Sequence, residues 1–193
     1  MRISSSSEGL GCQSVYRVLG VFDADINFYL DSFNVDREDF DFEGVLTGSG
    51  ALAVHADRHD IEYDTDTKDI DIYTNQELSD LENMETFPHT EMSRENGSQY
   101  CYDTTSASTT ANAPGAFVDV ITDYNQAFGV EEDTATEVEE LLEEQASGEP
   151  IIDGAVTVYL PDLETLKRTY QFQDLDHEDR VAMIEDMKEL EDA

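Results

Sequence analysis

Apolar residues recur at three- and four-residue steps over residues 12–33, at Val15, Val18, Leu19, Phe22, Ile26, Tyr29 and Leu30. That spacing predicts an amphipathic helix with one face toward a core. A polar turn over 34–39 separates it from an apolar run at 40–46, expected as a strand, which enters Thr47-Gly48-Ser49-Gly50. Residues 51–56 (ALAVHA) continue as a short helix, packed closely on the sheet through its small side chains. Residues 57–67 have no core pattern and read as a polar loop. Strict alternation at 68–74 (KDIDIYT) predicts a strand, and 75–84 is expected to start another helix.

The middle of the chain is less patterned. Residues 99–105 (QYCYDTT) are expected as a strand and 106–115, small and polar, as a loop. The segment 116–122 (AFVDVIT) is a clear strand. Val138, Leu141 and Leu142 place a helix over 134–146, closed by Gly148 and Pro150. A strand at 155–160 leads to Pro161-Asp162, which caps a helix running through Leu166 and Tyr170, and 176–190 forms a last amphipathic helix. Strands alternating with helices imply a sheet covered by helices, in the α/β (α+β) class. Residues 1–10, rich in Ser, are expected to be a flexible start, and 11–193 a single domain.

Charge changes the picture of the surface. The chain has 193 residues, with 46 Asp and Glu against 10 Lys and Arg, a net charge of −36. Such acidity often accompanies disorder, but 39% hydrophobic residues in periodic groups argue for a folded domain with an acid coat. A basic footprint for nucleic acid or anionic membrane is excluded as a global property. No run approaches the roughly 18 apolar residues of a membrane span, and the N-terminus lacks the apolar core of a secretory signal. Cys12 and Cys101 form neither a disulfide framework nor a ligand cluster, so a reducing cytoplasm is expected. Lysine occurs only at positions 68, 167 and 188, and residues 95–166 contain no Lys or Arg. Self-repulsion of this size is screened in about 1 M salt, where the Debye length is about 3 Å. The composition resembles that of proteins from salt-in halophiles, such as haloarchaea and their viruses, and makes most carboxylates solvation.

Three features stand apart from the coat. A strand runs into Gly48-Ser49-Gly50 and on into a helix. Glycine lets a backbone approach a ligand there, and the helix N-terminus offers free N–H groups to an anion. Asp69 and Asp71 alternate with Ile70 and Ile72 on a strand, which puts both carboxylates on one face and both isoleucines toward the core. Their mutual repulsion would be relieved by a divalent cation, for which Mg²⁺ suits two carboxylates completed by phosphate and water. Asp119 lies within the apolar strand Phe117-Val118-Asp119-Val120-Ile121. A carboxylate in such surroundings calls for a partner or a metal.

The order Gly48-Ser49, Asp69-x-Asp71 and Asp119 on a later strand resembles the nucleotidyltransferase superfamily with the polymerase-β-like palm. Residues 45–73 are closest to its small stand-alone members, among them the abortive-infection and toxin–antitoxin nucleotidyltransferases. Residues 156–167 (VTVYLPDLETLK) are similar to the strand–Pro–acid–helix–Lys segment that follows the third carboxylate, and the helix with Asp179, Arg180 and Asp186 to the closing helix. The resemblance covers about residues 40–190. It implies a mixed sheet flanked by helices, with N- and C-terminal helices, and transfer of a nucleoside monophosphate from an NTP to an acceptor hydroxyl with release of pyrophosphate. It also implies that Asp69, Asp71 and Asp119 are catalytic and hold two Mg²⁺ (or Mn²⁺) ions, and that Gly48, Ser49 and Lys167 bind the nucleotide.

The expected partners are a nucleoside triphosphate and an acceptor (protein, RNA or small molecule), with a protein partner in the alternative reading. No membrane is expected, and the acid coat disfavours nucleic acid. The stretch 50–68 is longer than the corresponding segment of the family, and Thr65 stands where an Arg is common. The alternative is therefore a catalytically inactive binding or regulatory protein of the same fold, such as a toxin–antitoxin or viral accessory partner. A third reading is an acidic structural domain stabilised by cations.

Two further patterns carry less. His55 and His59 have the spacing of a zinc pair, without the intervening Glu of a metalloprotease or an evident third ligand. Asp39, Asp41 and Glu43 mimic the start of a calcium loop, but its twelfth position is Gly50, where a bidentate Glu is required.

Overall fold

The computed structural model describes residues 12–36, 40, 42–63, 69–76, 92–95, 99–103, 117–173 and 177–191. The expected flexible start at 1–10, the loop at 106–115 and most of the expected helix at 75–84 lie outside the described residues. Asn75 and Gln76, which are described, are not helical.

Helix α1 (Cys12–Phe33) has the predicted limits, and Val15, Val18, Leu19, Phe22, Ile26 and Leu30 along one side are buried. It leads to β1 (Phe42–Thr47), which passes directly into α2 (Gly48–Arg58). The helix thus begins two residues before Gly50 rather than after it. Every residue of α2 from Gly48 to Ala56 is buried, as befits a helix packed on several sides. Strands β2 (Asp69–Tyr73), β3 (Met92–Glu95), β4 (Gln99–Asp103) and β5 (Phe117–Ile121) follow. The remaining elements are α3 (Tyr124–Phe128), α4 (Glu132–Gln145), β6 (Ile152–Asp153), β7 (Val156–Tyr159), α5 (Leu163–Phe172) and α6 (Glu178–Glu191).

The strands form one mixed sheet in the order β3-β4-β5-β2-β1-β7-β6. β2 sits at its centre, antiparallel to β1 and parallel to β5, while β1 is parallel to β7. This is the expected mixed sheet flanked by helices, with helices at both ends of the described chain. One core lies between the sheet and α1, α2, α5 and α6. Ile70, Ile72, Val118 and Val120 enter it from the sheet, and the Phe22 and Phe42 rings meet edge to face at 6.0 Å. A second core covers the other face, where Val45, Tyr73 and Ile121 pack on Tyr124, Val138 and Leu142 of α3 and α4. Among the described residues no helix is long and apolar enough to cross a membrane.

The Pro161-Asp162 turn works as its chemistry requires. Asp162 stays extended and its Oδ1 accepts the Thr165 N–H at 2.7 Å, which satisfies one of the free donors in the first turn of α5. Asp162→Ala is expected to lower stability by about 1 kcal/mol, read as a shifted denaturation midpoint at unchanged slope in molar KCl.

Candidate functional site

β1 ends at Thr47 and the chain turns at once into α2. Gly48 has φ +60°, in the left-handed region that favours glycine. A Cβ at this position would stand 2.5 Å from Asp71 Oδ2. Residue 48 is therefore glycine for two reasons, its backbone sign and the approach of a carboxylate. Thr47 precedes the helix without a side-chain capping bond, and the first turn of α2 contains no acidic residue. The positive end of the helix is left to groups from other elements.

Those groups come from the sheet. Thr47 on β1 is paired in register with Asp71 on β2, and Asp71 with Asp119 on β5. Neighbouring strands run about 4.8 Å apart, so the three residues form a row on one face. Both carboxylates are half-buried, whereas Ile70, Ile72, Val118 and Val120, on the opposite face, are at most 1% exposed.

Hydroxyls complete the corner. Thr47 and Ser49 are buried, as are Tyr124 and Tyr170. The Tyr124 hydroxyl accepts the Gln173 Nε2–H at 3.4 Å. Burial pushes its pKa up to about 12; nearby Thr47 and Gln173 ease its ionisation, and the charge of Asp71 opposes it. Burial likewise pushes the Tyr170 hydroxyl upward, with Tyr63 and Asp71 adding to the shift and Arg180 and Ser49 opposing it. Arg180 Cζ lies 5.4 Å from the centre of the Tyr170 ring, and the His177 ring meets it edge to face at 5.1 Å. His177 Nε2 is 2.9 Å from Gln173 Oε1, so α5 and the start of α6 are tied together beside the corner.

Of the residues singled out from sequence, Gly48, Ser49, Asp71 and Asp119 come together here. Asp69 opens β2 opposite Phe117, but its side chain lies outside the described residues. Lys167 Nζ is 2.8 Å from Glu185 Oε1, tying α5 to α6, so a phosphate role for Lys167 would require exchange of that partner. Among the described residues no group of three or more His, Cys, Asp or Glu side chains is placed to hold a metal ion. Nothing in the sequence marks Thr47, Tyr124, Tyr170 and Gln173 as neighbours of this corner. The tyrosines fit the apolar periodicity, which carries no signal for where a hydroxyl points. No family model, curated protein or solved structure matches the chain.

The two histidines of α2 turn to different partners. His55 Nε2 is 2.7 Å from the Pro161 carbonyl oxygen, and His59 Nε2 is 3.3 Å from Glu191 Oε1. A carbonyl only accepts, so His55 carries its proton on Nε2 and pins α2 to the turn before α5. Burial lowers the His55 pKa below 6.5, partly opposed by the bond to Pro161. Between the lowered folded value and the ordinary value, the unfolded chain binds more protons. The stability tied to neutral His55 is therefore present above pH 6.5 and is lost as pH falls toward the folded value. His55→Gln is expected to be less stable than the wild type at pH 7.5, with the gap narrowing toward pH 5 in denaturation curves at fixed salt.

Proposed function

We propose that the corner formed by Gly48, Ser49, Asp71 and Asp119 is the catalytic centre of a metal-dependent nucleotidyltransferase. It would move a nucleoside monophosphate from an NTP to an acceptor hydroxyl and release pyrophosphate, in a cytoplasm of high salt. One observation carries this reading: the first turn of α2 lies directly against Asp71, which is in register with Asp119. A helix N-terminus of the kind that suits an anion and a carboxylate pair thus share one corner, although their elements are separated in sequence.

The donor set suits the ion that this chemistry needs. Two neighbouring carboxylates match Mg²⁺, which takes one or two carboxylates and keeps its other positions for phosphate and water. When bound, the cation neutralises the triphosphate and acidifies the acceptor hydroxyl. Asp71 and Asp119 would hold it, with Asp69 the further donor that the resemblance implies. Because carboxylates alone would repel an anionic substrate, the reading requires the metal.

The remaining work falls to the protein. The N–H groups at the start of α2 and the Ser49 hydroxyl would hold the β- and γ-phosphates and set the α-phosphorus against the acceptor. The acceptor oxygen then bonds to the α-phosphorus as the bond to the bridging oxygen breaks. Pyrophosphate leaves, and the hydroxyl proton passes to a carboxylate of the pair or to water.

The test is label transfer from each α-labelled NTP in molar KCl, with Mg²⁺ or Mn²⁺ and cell extract as the source of acceptor. Transfer is expected with the wild type and is expected to fall by roughly a hundredfold or more in Asp71→Asn and in Asp119→Asn. Transfer that survives both substitutions, or that appears with no nucleotide, refutes the proposal.

A further inference from the structure

The Tyr170 hydroxyl is buried and has no hydrogen-bond partner among the described residues. Tyr170 as a whole is 2% exposed. Its upward-shifted pKa keeps the proton on the oxygen, making the group a donor in need of an acceptor. Its surroundings are those of the candidate site: the Ser49 hydroxyl, in the first turn of α2, is near enough to ease its ionisation without forming a hydrogen bond of good geometry, and the charge of Asp71 opposes that ionisation. The ring is held independently of the hydroxyl, by Arg180 over its face and His177 at its edge. In a chain with 46 acidic and 10 basic residues, an arginine at this place is a scarce resource.

A buried hydroxyl without a partner in the protein calls for a ligand atom from outside it, and a helix N-terminus beside it suits an anion. The atom must accept a hydrogen bond, and the positive end of α2 and the charge of Arg180 both favour an anion. Asp71 works against any anion unless a cation intervenes, which selects a ligand that arrives with one.

We propose that Tyr170, carried to the corner by α5, is a phosphate-binding residue whose hydroxyl donates to a phosphate oxygen held at the first turn of α2. Arg180, stacked on its ring, supplies positive charge to the same subsite. The nucleotidyl-transfer reading supplies the bearer of that phosphate, a metal-bound triphosphate. The hydroxyl then belongs to binding and adds nothing to the fold of the ligand-free protein.

Tyr170→Phe removes the oxygen and leaves the ring between Arg180 and His177. Magnesium tripolyphosphate is titrated calorimetrically into the wild type and the variant in molar KCl, and thermal midpoints are measured without ligand. The wild type is expected to bind, and Tyr170→Phe to bind on the order of tenfold more weakly. The ligand-free variant is expected to melt at the same temperature as the wild type or higher, because a buried donor without an acceptor is gone.

Equal affinity in the two proteins overturns the inference, as does a lower midpoint for the ligand-free variant, which would assign the hydroxyl to the fold. If the wild type binds tripolyphosphate and Tyr170→Phe weakens it but no NTP yields transfer, the inference stands and the enzyme reading falls. If Mg²⁺–NTP binds and reacts equally well in both proteins, the enzyme reading stands and the inference falls. A wild type that binds neither ligand overturns the inference.

Discussion

The register of β2 between β1 and β5 is the constraint on which the rest of the structure depends. Because side chains alternate along a strand, it sends Ile70 and Ile72 into the larger core and turns Asp71 to the other face. Further along that face, Tyr73 and its neighbours Val45 and Ile121 are covered by α3 and α4. At the end of β1, the same face carries Thr47, Asp71 and Asp119 instead. A slip of one residue would bury the carboxylates and expose the isoleucines. The two apolar cores thus hold the polar row in place.

The polar row is tolerated because it lies where elements end. β1 gives way to α2 at Gly48, whose left-handed backbone and missing Cβ let Asp71 approach the start of the helix. α5 runs past the same place, with Tyr170 in the larger core and Gln173 bonded to Tyr124 of the smaller one. His55 and Asp162 fix the start of α5 from two directions, one through the Pro161 carbonyl and one through the Thr165 N–H. Side chains far apart in sequence therefore meet through buried and half-buried contacts. Such rigidity is what a site of defined geometry needs.

Much of this was legible in the sequence where one strong pattern acted alone. The limits of α1 follow from its long apolar stripe, β2 from alternation, and the start of α5 from Pro161-Asp162. Asp119 stood out as an acid inside an apolar strand. Elements too short for a period were not legible: α3 has 5 residues and β6 only 2. β3, with the sequence MSRE, has no apolar alternation to find. The start of α2 is not legible because two glycines look like a loop, whereas the helix begins at Gly48 with a positive φ. The pairing of Asp71 with Asp119 depends on which strands become neighbours, which no local pattern carries. The acid coat obscured the site as well, since 46 carboxylates offer many candidates and only their neighbours tell them apart.

The central claim is that this corner binds a triphosphate through a metal held by Asp71 and Asp119. The most direct measurement is calorimetric titration of each NTP into the wild type and Asp71→Asn in molar KCl, with and without Mg²⁺. The prediction is saturable binding of at least one NTP that requires Mg²⁺ and disappears in the variant. Binding that is equally tight without Mg²⁺ or in Asp71→Asn would contradict the claim, as would no binding of any NTP to the wild type.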